Sequence, residues 1–162
     1  MKLRSKLHQM MPKALIPFLI RAKRATYVGG SGKAASSRTA SHDLTYDEGD
    51  LAYLDSYFGG TDFIGQEVVW AKSEPIWSMC YYGYILRPDL ITPTQAGTII
   101  KAALSQPNAQ GRLLDNLTFT HEAFTFAITS QGTVEHFTGR ETIHSDQTLA
   151  YALDYFGGMV KP

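Results

Sequence analysis

The chain has 162 residues, 44% of them hydrophobic, with fifteen Lys or Arg against fifteen Asp or Glu. That is enough for one domain whose core buries about two thirds of the unfolded surface. A single cysteine, Cys80, excludes an internal disulfide framework and points to a reducing, cytoplasmic setting, and no apolar run approaches the roughly 20 residues that cross a bilayer.

The zero net charge conceals a dipole. Residues 1–42 carry nine bases and no acid, the first carboxylate being Asp43, so a basic leader precedes an acidic body. Such a field recruits a counter-charge, whether a polyanion, an anionic small ligand or the chain's own acidic half. Residues 1–16 read as a basic extension, with Leu3, Leu7, Met10 and Met11 near helical spacing and a break at Pro12. The apolar stretch over residues 14–20 runs at once into Arg21, Lys23 and Arg24 without a cleavage site, which excludes a signal peptide. A single domain then spans residues 17–162. Pro17 suits the first turn of a helix reaching about Ala25. Residues 29–42 are rich in Gly, Ser, Ala and Thr and read as a long loop, of a length that is usually functional or disordered.

From Leu51 the period changes to two, with Tyr53, Asp55 and Tyr57 on one face and Leu54 and Phe58 on the other, until Gly59-Gly60 forces a turn. Residues 63–70 and 76–85 are β-branched and aromatic and continue an antiparallel meander. Thr92-Pro93-Thr94-Gln95 has the capping-box form, and Ala96, Ile99, Ile100, Ala103 and Leu104 make one helical stripe. Residues 117–129, 133–137 and 149–156 supply a second set of strands. The expected fold is α+β, a mainly antiparallel twisted sheet of about six strands packed on one or two helices. Ala52-Tyr53 with Tyr57-Phe58-Gly59-Gly60 echoes Ala150-Tyr151 with Tyr155-Phe156-Gly157-Gly158, and Phe63-x-Gly65-x-Glu67 echoes Phe137-x-Gly139-x-Glu141, in the opposite order. That reversal reads as similar strand chemistry in two places rather than a solenoid.

Several clusters carry candidate chemistry. Gly29-Gly-Ser-Gly-Lys33 fails the phosphate-loop pattern, since Tyr27 stands where a glycine is needed and Ala34 where Ser or Thr is needed. Its glycines still expose N–H groups, and Arg24, Lys33 and Arg38 can bring cationic donors to an anion. Ser41, His42 and Asp43 alternate in direction along extended chain and cannot form a triad with one another; His42 paired with a distant Glu67 is the enzymatic alternative, a small hydrolase or transferase. The five histidines lack ligand spacing, so no metal or other cofactor is expected. Glu67 shares a face with Phe63, Gly65 and Val69 in mid-strand, where a half-buried carboxylate needs a partner such as Arg21, Arg24 or Arg38. Tyr53, Tyr57, Trp77, Tyr81, Tyr82 and Tyr84 give the first strands a high aromatic density, which suits core packing and also a pocket for a planar or cationic ligand.

The run Phe18-Leu-Ile-Arg-Ala-Lys-Arg-Ala-Thr-Tyr-Val-Gly-Gly30, then Ser36-Ser-Arg38, Ser41-His-Asp-Leu44, Tyr46-x-Glu-Gly49, Phe63-x-Gly-x-Glu67 and Pro75-Ile-Trp77, resembles a bacterial family known as domain of unknown function 5680. The resemblance resumes as Phe137-x-Gly-x-Glu-x-Ile143 and Tyr155-x-Gly-Gly158. Thr39-Ala40 departs from the Pro-Gly usual there, and Cys80 from the usual Asn. Some members of that family follow a helix-turn-helix domain, which implies a sensing or effector module. The leading expectation is therefore a non-enzymatic small-ligand-binding or regulatory module with Arg24, Lys33, Arg38, His42, Tyr57, Glu67, Trp77 and Tyr81 at its site, facing an anionic small molecule or an acidic protein surface. The alternative is an adaptor or inhibitor that applies residues 1–24 to an acidic protein or nucleic acid.

Overall fold

The computed structural model describes residues 14–30, 32–106 and 116–161. The basic stretch over residues 1–13, part of the residues 1–24 expected to act in an adaptor, lies outside the described residues. Helix α1 covers residues 14–23 and passes into a π-helical turn, Arg24–Val28. Its Leu15, Phe18, Leu19 and Ala22 form a fully buried i, i+3, i+4, i+7 stripe. Helix α2, Pro93–Leu104, begins with the expected capping box: Gln95 donates its backbone N–H to Thr92 Oγ1, and Thr92 returns its own N–H to Gln95 Oε1. Among the described residues no helix is long and apolar enough to cross a membrane.

The strands are β1 (Lys33–Ala34), β2 (His42–Glu48), β3 (Leu51–Gly59), β4 (Phe63–Ala71), β5 (Glu74–Ile85), β6 (Leu117–His121), β7 (Phe124–Thr133), β8 (His136–Ser145) and β9 (Thr148–Met159). They make one antiparallel sheet in the order β1-β2-β3-β4-β5-β9-β8-β7-β6. The fold is α+β with a mainly antiparallel sheet, as the sequence implies, but the described residues form nine strands rather than about six. Three were hidden for physical reasons. β1 is two residues long, and β2 alternates His42, Leu44 and Tyr46 with Asp43, Thr45 and Asp47, so its ladder is not announced by apolar periodicity. The single strand expected over residues 117–129 is a hairpin, because Glu122 turns the chain at φ +53°.

Both helices lie on one face of the sheet. α1 packs with Tyr53, Val69, Trp77, Met79, Phe137 and Tyr155, and α2 with Phe126, Ile143, Ala150 and Tyr151. The other face carries exposed Ile64, Tyr82 and Phe156. Trp77 is wholly buried, stacked on Phe137 and donating its indole N–H to Val134 O at 3.2 Å.

Two helix-plus-meander halves, α1 with β2–β5 and α2 with β6–β9, meet at the β5–β9 pair, where Tyr81 stands opposite Tyr155. The Phe-x-Gly-x-Glu echo falls on the matching strands β4 and β8. Gly65 pairs with Tyr81 and Gly139 with Tyr155, and each tyrosine ring lies over its glycine where a Cβ would be. Register slips recur at Val69/Trp70 and Ile143/His144. This half of the echo is therefore a twofold-related repeat, not mere similarity of strand chemistry. The other half, on β3 and β9, falls on strands that do not correspond.

The glycines are required by ring overlap. Gly139→Val must push Tyr155 off the strand and break its hydroxyl contact with Ser130, and the expected loss is about 1–3 kcal/mol in urea unfolding. A variant as stable as the parent would contradict this reading of the repeat.

Candidate functional site

Between α1, α2 and the inner sheet face lies a cavity of about 420 Å³. Its exposed lining residues, Gly59, Gly60, Thr61, Pro93 and Asn116, mark a mouth between the β3–β4 turn, the start of α2 and the residue before β6. Deeper in, the wall is phenolic and acidic. Tyr53 and Tyr57 of β3, Tyr81 of β5, Tyr151 and Tyr155 of β9 and Tyr27 of the π turn surround Asp55, Glu67 and Glu141, with Lys23 as the facing cation.

Alternation puts these groups together. Asp55 of β3 stands directly opposite Glu67 of β4, both 6% exposed, and such cross-strand neighbours on one face have Cβ atoms about 5 Å apart. Lys23, the last α-helical residue before the π turn, reaches Glu67 Oε1 with its Nζ at 2.5 Å. A π turn carries an extra residue per turn and changes the direction of the side chains around it. The Tyr81 hydroxyl donates to Asp55 Oδ1 at 2.6 Å. Two buried polar atoms have no partner among the described residues, Glu67 Oε2 and the Tyr151 hydroxyl.

The electrostatics follow from crowding acids out of water. Burial, and then the charge of Glu67, push Asp55 well above the ordinary carboxyl range, against the pull of the Tyr81 hydroxyl and Lys23. Burial raises Glu141 to about 7, with Lys23 opposing and Glu67 adding to the rise. β4 and β8 are separated by the β5–β9 pair, so this mutual influence reflects a sheet curled around the helices. The Tyr81 and Tyr151 phenols are pushed up by burial first and by the neighbouring carboxylates second.

Of the residues expected at the site, Tyr57, Glu67 and Tyr81 line this cavity. Trp77 lies in the core beside it. Arg24 and Lys33 are exposed and do not line it, and exposed His42 rests its ring on Tyr57, outside the lining. Arg38 is on the opposite face of β3. Its guanidinium donates to Ser56 O and Oγ at 2.9 and 2.7 Å and sits 4.5 Å above the Phe58 ring. Beside it, Asp43 accepts from Ser37 N and Ser56 Oγ; burial works to raise its pKa, but the hydroxyl and N–H donors hold it below the usual range. The loop and the aromatic face thus form two separate clusters. The expected arginine partner of Glu67 is replaced by Lys23, because Arg21 is held bidentately by Glu48 at 2.9 and 2.6 Å and Arg38 by Ser56. Two of the leader's bases therefore neutralise acids of the body.

Lys23, Asp55, Glu141 and Tyr151 were not anticipated at the site. Asp55 was signalled by its alternation with Tyr53 and Tyr57, and Glu141 by the echo of Phe-x-Gly-x-Glu. Among the described residues no three of His, Cys, Asp and Glu are placed to hold a metal ion.

Removing the ammonium from Glu67 leaves a buried unpaired carboxylate. Lys23→Met should therefore lose about 3–5 kcal/mol near neutral pH, most of it recovered in Lys23→Met/Glu67→Gln; urea midpoints of the three proteins check this, and equal losses in the single and double variants would refute it. Glu141 gives a pH signature. Its folded pKa lies above the unfolded value near 4.3, so folding takes up a proton between about pH 4.5 and 7 and stability falls as the pH rises through that window. Glu141→Gln should match the parent near pH 4 and exceed it by about 3–4 kcal/mol near pH 8.

Residues 55–160 match the family model described as Domain of unknown function (DUF5680). This stretch contains the cavity's strand residues from Asp55 to Tyr155 and all of α2. No curated protein matches the chain. No solved structure matches it either.

Proposed function

The chain belongs to the Domain of unknown function (DUF5680) family, and we propose that it is a small-ligand-binding module whose site is the cavity between the two helices and the inner sheet face. The observation that carries this reading is Glu67 Oε2, a buried carboxylate oxygen that, although the Tyr53 phenol lies near the carboxylate, has no hydrogen-bond partner among the described residues, in a space of about 420 Å³. Buried polar atoms are nearly always hydrogen-bonded, and leaving one unmet costs about 1–3 kcal/mol, more if it is charged. A stable interior keeps such an atom where a ligand supplies the missing donor. The phenol ring faces and the Tyr151 hydroxyl elsewhere in the wall, also without a partner among the described residues, suit an organic molecule with a flat or apolar body and at least one donor.

Gly97 of α2 lines the cavity, and a Cβ placed there meets nothing within 4 Å. Gly97→Leu therefore starts from open space at its Cβ and should take up part of the cavity, and it gains about 0.8 kcal/mol of helix propensity. In a thermal-shift screen of the full chain, with mass spectrometry of whatever co-purifies, the parent should bind a small molecule that Gly97→Leu does not. A screen in which no compound distinguishes the two proteins would overturn the reading.

A further inference from the structure

The internal twofold repeat marks one charge as missing. α1 presents Leu15, Phe18, Leu19 and Ala22 to the core, and α2 presents Ala96, Ile99, Ile100 and Ala103 at the same i, i+3, i+4, i+7 spacing. The residue following each stripe is Lys23 in the first half and Leu104 in the second, and both line the cavity. Their acidic counterparts, Glu67 and Glu141, occupy matching places on β4 and β8. Glu67 thus has an ammonium at 2.5 Å, whereas the position of α2 that matches Lys23 carries the hydrocarbon side chain of Leu104, and no ion pair is made by Glu141 among the described residues.

We infer that the ligand of this cavity is a small organic cation, an alkyl- or arylammonium or a guanidinium, whose charged head takes against Glu141 the place that Lys23 holds against Glu67. The inference rests on the reading of the cavity as a ligand site and names its ligand class. The balance of the wall supports it above about pH 7: once Asp55 and Glu141 ionise, three carboxylates, with Glu67, face the ammonium of Lys23, and an anion would then enter against net repulsion. The unpartnered Tyr151 hydroxyl, 2% exposed, lies within the influence of Glu141 and offers an oxygen to a second N–H. Tyrosine faces beside an acid attract ammonium and guanidinium groups when water is excluded. A bare metal ion fits less well, since no three of the acids converge to hold one among the described residues.

The charged and titratable groups bearing on Glu141 are Lys23 and Tyr27 of α1 and its π turn, Glu67 of β4 and Tyr151 and Tyr155 of β9; α2 brings only uncharged side chains to the lining. In the empty protein, burial keeps the Glu141 carboxyl protonated up to about pH 7. Cation binding therefore competes with a proton, and affinity should fall about tenfold from pH 8 to pH 6.

Calorimetry of the full chain near pH 8 with butylamine, benzylamine and phenylguanidine, beside butanol and benzyl alcohol as neutral isosteres and butyrate and benzoate as anions, tests this. At least one of the cations should bind where its isostere and the anions do not, and Glu141→Gln should lose that binding. Leu104→Lys should carry the missing charge itself, so that it melts higher than the parent and no longer responds to amines. Should Leu104→Lys fail to fold, Glu141→Gln still decides the matter. Cation binding that survives in Glu141→Gln, or neutral or anionic probes that bind as well as cations and are excluded by Gly97→Leu, would end the cation assignment while leaving a ligand cavity. No response from any probe class, with Gly97→Leu indistinguishable from the parent throughout, would end both.

Discussion

The antiparallel ladder between β5 and β9, from Trp77 opposite Met159 to Ile85 opposite Tyr151, is the constraint on which the architecture rests. Each half is a helix and a meander with one apolar face, and such a sheet must cover that face with something. Joining the last strands of the two halves edge to edge gives one continuous inner surface, and it brings both helices onto it. The same junction sets Tyr81 beside Tyr155 at the centre of the cavity floor and sends Glu67 and Glu141 to either side of it. Without the ladder there would be two shallow, half-covered sheets and no shared acidic cleft.

That acidic space runs against folding economy. Three carboxylates share one lysine in a region where apolar side chains would serve stability better. Raised carboxyl pKa values and two orphaned polar atoms are the physical record of this conflict. Groups held this way cluster where a protein meets another molecule, because the strain is relieved only when that molecule arrives. The outer face differs. There Asp43, Ser37, Ser56 and Arg38 satisfy one another completely enough to bury an acid at 4% exposure, a tidy structural knot fastening the loop over residues 35–41 to β3.

Much of this was legible in the residues. Alternation grouped Tyr53, Asp55 and Tyr57 on one face of β3 and Phe63, Gly65, Glu67 and Val69 on one face of β4, and both groups face inward; the capping box and stripe of α2 appeared as read. The partner of Glu67 was not legible, because choosing Lys23 over Arg21 or Arg38 depends on where the π turn aims the helix, and no local pattern encodes that. β2 escaped because both its faces are largely polar: its outer face meets a hydrogen-bonded loop instead of a core. The basic loop was assigned to the site by charge alone, but charge fixes neither face nor depth, and one residue of pleat separates Ser56 from Asp55. Glu141 was visible only as an echo, and an echo gains chemical meaning once the topology says which strands correspond.

The lateness of β9 has a consequence for biosynthesis. The chain emerges N-terminus first, so β5 is complete, aromatic and unpaired along one side while α2 and three further strands are still being made. During that interval the nascent first half displays a long, β-prone edge that any similar edge nearby can zip onto. Crowded polysomes are therefore the setting in which this protein is most exposed to misassembly, and slow translation between β5 and β9 would lengthen the exposure.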